Sequence, residues 1–383
     1  EPGLFSALEH SLAQQWQACK AQAELMQLKT VQIGILPTLR EQDLCLANVS
    51  GQQRYLALNH QVLKSRHNRP FRIDIRGDRD QLSFEHRDVM IEAATTSLQI
   101  HIQTDFDKAV RFYNAALIAS APMVAACANS PLLFGKKLWQ ETRIPLFEQA
   151  VAIPCFRDGS GRPVHRVCFG SRDLKNSIAE LFVENRDKFP ILLPFRYKDS
   201  SNPFAHLQLH NGTIWRWNRP LLSLSDEGLL QLRIEHRAIA AGPAITDNIA
   251  NIALFYGLAH YLSSLNPAPE LQLDFAMAER NFYAAARHGL NAPINWIDGR
   301  SWTMQDLLLE ELVPAAASCL RTLGTSTTDI ETYLEGVIRP RIASRRTGAQ
   351  WQLDSFHRHG GDTSKMLAEY WENQSRGPVH QWP

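Results

Sequence analysis

The sequence predicts an α+β fold: an antiparallel sheet with helices packed on its outer face, strands concentrated in residues 28–245 and helices in 246–383 of one domain of 383 residues. Three observations predict it. Alternating segments are joined by hairpin-type turns, as in FRIDIRGDRDQLSFEH, which turns at Gly77-Asp78. Extended and helical segments do not alternate as regular βαβ units. Beyond about residue 247 the apolar residues recur at helical spacing.

In chain order, residues 2–27 read as an amphipathic helix with Leu4, Leu8, Leu12 and Trp16 on one face. TVQIGILPTL reads as a strand closed by Pro37, and the hairpin at Gly77-Asp78 feeds a strand through VMIEAATTSLQIHIQTDF, residues 89–106. Asp105 can cap the next helix, whose apolar stripe is Phe106, Val110, Tyr113, Ala116 and Leu117, with Pro122 as a kink or stop. Residues 128–131 make a turn, residues 171–187 a helix, and FPILLPFRY an extended, proline-punctuated segment.

The stretch from His206 to Asp247 carries the most information. HLQLH reads as strand, and the next segment places Thr213, Trp215 and Trp217 on one face before Arg219-Pro220 ends it. In LRIEHRA, Leu232, Ile234 and Ala238 face one side while Arg233, Glu235 and Arg237 face the other. A sheet face built from plus, minus, plus is a candidate binding surface; alternating charges on a solvated strand are the plain alternative. Gly242-Pro243 stops the strand. A helix follows over 247–263, capped by Thr246 or Asp247, with Ile249, Ile252, Ala253, Tyr256 and Ala259 as its stripe. Further helices are read at 274–288, 303–322 and 327–345.

Composition narrows the class without deciding it. A net charge of +1 provides no global field for nucleic acid or an acidic membrane surface, and the Arg339–Arg346 cluster reads as a solvated helix end. No apolar run is read as reaching the ~18 residues of a spanning helix. The six cysteines lack CxxC or zinc-finger spacing, which favours reduced thiols and a cytoplasmic location, with Cys127 and Cys319 as small core residues. His165 and Cys168 are the nearest nucleophile–base pair, but at i and i+3 they face opposite sides of a strand. Gly135-Lys136 is not a phosphate loop, since it lacks the earlier glycine and the following Ser or Thr.

The order WRWNRP, then LRIEHR, then AAGP, then an apolar helix resembles the glutamate-cysteine ligase family, in its plant-like and bacterial carboxylate-amine ligase branches. SLQIHIQ resembles the family strand that bears His or Gln followed two residues later by Asn or His, here Gln99 and His101. ANSP with the downstream GK and Thr142-Arg143 is similar to the family's FANSP…GK stretch and its Arg-bearing segment.

The resemblance implies a funnel-like antiparallel sheet related to the catalytic sheet of glutamine synthetase. It implies an ATP-dependent ligase that joins glutamate to cysteine or another amine, with Mg2+, as in glutathione biosynthesis, and without nucleic acid or membrane as partner. It also implies roles: Glu235, Gln99 and His101 as metal ligands, Arg237 and Arg219 as catalytic groups, Arg143, Asn129 and Ser130 toward glutamate, and Trp215 toward the nucleotide. The chain departs from the family in lacking a recognisable GxExE strand and a second Glu-bearing strand, so an N-terminally truncated chain is expected. That gap leaves a second reading, a non-catalytic ligase-like module that binds a small anion or regulates a partner. A third is a zinc hydrolase on His101, His206 and His210. The acceptor amine and the oligomeric state are not specified by the sequence.

Overall fold

A computed structural model describes residues 3–153, 165–197 and 202–383. Helix α1 (Leu4–Leu25) has no side-chain cap of its own. Its first-turn amides at Phe5 and Ser6, which have no partner within the helix, instead donate to the Asp329 carboxylate, brought in from the far end of the chain. The expected apolar face is misplaced: Leu4 and Leu8 are exposed, and the buried anchor is Phe5. TVQIGILPTL is extended but pairs as no regular strand; Gly34 donates to the Asn129 carbonyl and accepts from Thr96.

Helix α2 (Gln53–Ser65) precedes the hairpin of β1 (Phe71–Arg76) and β2 (Gln81–His86), which pair antiparallel as expected, Phe71 with His86. The long strand expected over 89–106 is broken. Val89–Ala94 forms a 3-10 turn capped by the Asp88 carboxylate, which accepts from the Met90 amide, and only β3 (Ile100–Gln103) is strand.

Helix α3 (Ala109–Ala126) is buried almost all round. Pro122 does not stop it, because packing on every side outweighs one missing hydrogen bond. By length and composition this helix is apolar enough to cross a membrane, which corrects the reading of no such run; here it is the central core helix, packed against two later helices. Short β4 (Leu132–Leu133) and β5 (Lys136–Lys137) lead to α4 (Arg143–Ala150). Strand β6 (Val167–Cys168) follows, and the helix expected over 171–187 is α5 (Ala179–Lys188). HLQLH lies in helix α6 (Ala205–Gly212), not a strand.

Strand β7 (Trp215–Arg216) pairs parallel with β6. Strands β8 (Asn218–Leu224) and β9 (Leu230–His236) form a three-stranded antiparallel sheet in the order β3-β9-β8. Pro220 does not end β8. It lies inside it, tolerated because β8 is an edge strand.

Helix α7 (Ile245–Ser264) starts with the Asp247 carboxylate accepting from the Ala244 amide, and α8 (Phe275–His288) packs with it on α3. The helical segments expected at 303–322 and 327–345 are present with π-helical stretches, and two more occur at Gly348–Arg358 and Thr363–Asn373. Arg341 corrects the reading of a solvated basic end: it is buried, 2.7 Å from Asp247 Oδ1, and donates to Asn251 Oδ1.

Candidate functional site

Period-two alternation sorts the three-stranded sheet into two faces. Ile100, Ile102, Leu232 and Ile234 enter the main core from one face. On the other, His101 is registered with Glu235, and Glu235 with Arg219, so three polar side chains form one row across three strands. Arg219 Nε lies 2.8 Å from Glu235 Oε2, Arg219 Nη2 3.3 Å from Oε1, and His101 Nε2 3.4 Å from Oε1.

Glu235 is nearly buried, which alone would raise its pKa. The hydrogen bond from His101 and the charges of Arg219 and Arg237 overrule that and hold the carboxyl at about 2. It is ionised at any ordinary pH.

The next residue on this face, Arg237, comes at an irregularity. Ile100 is registered with His236, but Ser97 bridges Ala240, so two residues on one side are matched by three on the other and a bulge falls within 237–239. The Arg237 guanidinium lies over the Phe147 ring at 5.6 Å and is only 8% exposed, yet its Nε and Nη1 have no hydrogen-bond partner. Burial, then repulsion from Arg219, lowers its pKa to about 10, with Glu235 opposing; it stays charged at neutral pH. Glu92, on the 3-10 turn, is a second acid near Arg237, its own pKa raised by burial against that charge.

Arg143 does converge here, but not as a ligand-facing group. It is fully buried, and it donates to Ser97 Oγ at 3.0 Å and to the Ala238 carbonyl, on the two sides of the bulge. Its Nε lies 3.9 Å from Glu141, whose carboxyl burial pushes up to about 7 despite that neighbour. Arg143 is therefore a strut that fixes the segment bearing Arg237.

Asn129 and Ser130 are also fully buried and do not face a ligand. The Asn129 amide donates to the Ala241 carbonyl at 2.7 Å and to Tyr370 Oη at 2.9 Å, and Asn129 Oδ1 accepts from Gln352 Nε2 at 2.7 Å. The Ser130 hydroxyl donates to Glu141 and accepts from the Arg143 amide. Both tie the C-terminal helices and α4 to the sheet.

Trp215 is half-buried and packs on Phe147, the ring over which Arg237 also lies, and no hydrogen bond links Trp215 to the Glu235 row. Gln99 is exposed ahead of β3 and makes no hydrogen bond to Glu235. Both Glu235 oxygens are engaged by Arg219 and His101, and among the described residues no group of three His, Cys, Asp or Glu side chains could hold a metal ion. Hard cations require several oxygen ligands, so the expected set of Glu235, Gln99 and His101 does not fit magnesium.

The zinc set fails on placement as well. His210 bonds the Phe189 carbonyl, His206 accepts from the Tyr197 amide, and His101 bonds Glu235. Cys168 is no nucleophile, since burial pushes its thiol up to about 11. Cys127 is core, whereas Cys319 is only half-buried. Cys155 lies outside the described residues.

Alternation in the sequence finds the faces that bear His101 and Glu235, but Arg219 was read there as the end of its strand, and Glu92 and Phe147 carried no signal. Glu92 is placed by the 3-10 turn. Phe147 and Trp217 lie under Arg237 and Arg143, with centroid distances of 5.6 Å each.

The cluster defines a protein that crowds guanidinium groups around one ionised carboxylate, an arrangement complementary to an anion. The family model of glutamate-cysteine ligase family 2 matches residues 5–376, and the chain belongs to that family. A search of curated proteins finds no match.

Proposed function

We propose that the chain is the ligase body of an ATP-dependent carboxylate-amine ligase, which forms a γ-glutamyl amide from glutamate and cysteine or another amine. Arg237 carries this reading. A nearly buried guanidinium with two unpartnered nitrogens is costly to keep in a folded protein unless an anion completes it.

The reaction needs such a group. A glutamate carboxylate oxygen takes the γ-phosphoryl of ATP, ADP leaves, and a γ-glutamyl phosphate results. The amine, its ammonium proton given up to solvent, attacks the acyl carbon; the bond from that carbon to the phosphate oxygen breaks, the nitrogen releases a second proton, and hydrogen phosphate departs. Arg237 neutralises charge on the transferring phosphoryl, and Arg219, aimed by Glu235, supports it. Arg143 acts through the bulge as a positioning residue. In this reading, ATP is the substrate as its magnesium complex, and no step is assigned to a magnesium ion held by these residues. The three-stranded sheet is part of the funnel-like sheet of the family.

An ADP-release assay on the intact protein tests this, with glutamate and a panel of amines. ADP appears only when both are present, and Arg237→Gln removes it by about 10²-fold or more. The second reading, a non-catalytic module that binds an anion, is favoured by the lack of a carboxylate cluster for a metal among the described residues. It predicts that glutamate or phosphate binds without ADP release under any amine.

A further inference from the structure

We infer that the cavity between α4, β6, α5 and α8 is a binding site for a small organic cation, a protonated amine on a short apolar body. The cavity has a volume of about 590 Å³ and shares no residue with the Glu235 row.

Glu148 lines it. Trp217 Nε1 and Tyr283 Oη both donate to Glu148 Oε1, at 2.9 and 2.8 Å, which fixes the carboxyl plane. Glu148 Oε2 has no hydrogen-bond partner among the described residues, and Glu148 is part of the cavity lining. Helix α8 adds Glu279, also without an ion pair among the described residues. The cations nearby are already spent: Arg216 and Lys188 lie 3.4 and 3.5 Å from Glu184. Among the described residues neither acid has an ion pair; the Arg280 charge acts on Glu279 and only partly offsets the rise that burial gives its pKa, and Glu148 has no such neighbour. Phe275 and the Tyr283 ring supply apolar walls, which suit the body of an amine and attract its charge.

Burial pushes the Glu148 carboxyl up to about 7, even though Trp217 and Tyr283 stabilise the ionised form, and Glu279 adds to the rise. The other titratable groups around the cavity are Glu184 and Lys188 of α5, His165 and Cys168 at β6, and Arg280 beside Glu279 on α8. Cys168 stays neutral, and burial lowers His165, so neither supplies a positive charge at neutral pH. A bound cation favours the ionised form of Glu148, so binding releases a proton below pH 7 and affinity rises with pH.

The test is calorimetric titration of the intact protein with n-butylammonium chloride. The wild type binds with a dissociation constant of about 1 mM or tighter, and affinity rises about tenfold from pH 6 to pH 8. Glu148→Gln, which keeps an acceptor for Trp217 and Tyr283, weakens binding about tenfold or more and flattens the pH dependence. Glu279→Gln gives a smaller loss and serves as the readout should Glu148→Gln not fold. Absence of binding at about 10 mM, unchanged affinity in the folded Gln variants, or displacement of butylammonium by magnesium overturns the assignment.

Discussion

Arg219 and Glu235 meet side by side on adjacent strands, Nε 2.8 Å from Oε2 and Nη2 3.3 Å from Oε1. The same carboxylate takes His101 from the strand on its other side. This pairing explains how an acid only 2% exposed remains ionised.

Its pH signature has a definite sign. The folded pKa of Glu235 is depressed to about 2, below an unfolded value near 4.5. The stabilisation is therefore complete above about pH 4.5 and is lost as pH falls through 2, with an upper size of about 3 kcal/mol. Urea unfolding of the wild type and Glu235→Gln will show a stability gap that is constant above pH 5 and narrows below pH 4. A gap independent of pH contradicts the ion pairing.

Arg237 stands in the opposite relation to stability. Replacing it with Met removes a buried charge that has no ion pair among the described residues and keeps contact with Phe147, so the variant is more stable by about 1–2 kcal/mol. The gain comes with loss of nucleotide-dependent protection. Thermal unfolding with and without ATP measures both effects, and a destabilised variant that still responds to ATP counts against the anion role.

The Asn129 side chain ties Tyr370 and Gln352 of the C-terminal helices to the Ala241 carbonyl, and removing this buried amide leaves these three partners without it. Asn129→Ala lowers stability by about 3 kcal/mol in urea unfolding, with turnover per folded molecule retained. Gly348→Ala has a similar effect, because its new methyl would fall 2.2 Å from Asn129 Oδ1. A selective rise in KM for glutamate in Asn129→Ala, without loss of stability, restores a substrate role.

Thiol labelling separates structural from accessible cysteines. Cys19 is exposed and reacts first with maleimide at pH 8; Cys168, half-buried with its thiol pushed up to about 11, reacts more slowly, and Cys127, buried and pushed up to about 12, reacts only on unfolding. Early labelling of Cys127 in the folded protein contradicts its burial.

The candidate row was legible because its logic is local: alternation in LRIEHR and in QIHIQ aligns side chains within a strand, and antiparallel register then brings the strands together. What could not be read is non-local. Arg143 looks like a free guanidinium until the bulge at 237–239 presents the Ala238 carbonyl to it, and Asn129 looks like a turn residue until Tyr370 and Gln352 arrive from over two hundred residues away. HLQLH fits both strand and helix periods, and burial against α5 and β8 decides for the helix. Glu92 was hidden by a 3-10 turn where β propensity suggested continuous strand.

Isotope transfer tests the central claim most directly. With glutamate carrying oxygen-18 in its side-chain carboxylate, ATP and a competent amine, the account predicts one labelled oxygen in each phosphate released, and no labelled phosphate from Arg237→Gln. Unlabelled phosphate from a protein that turns over would show that no γ-glutamyl phosphate forms and would contradict the ligase assignment.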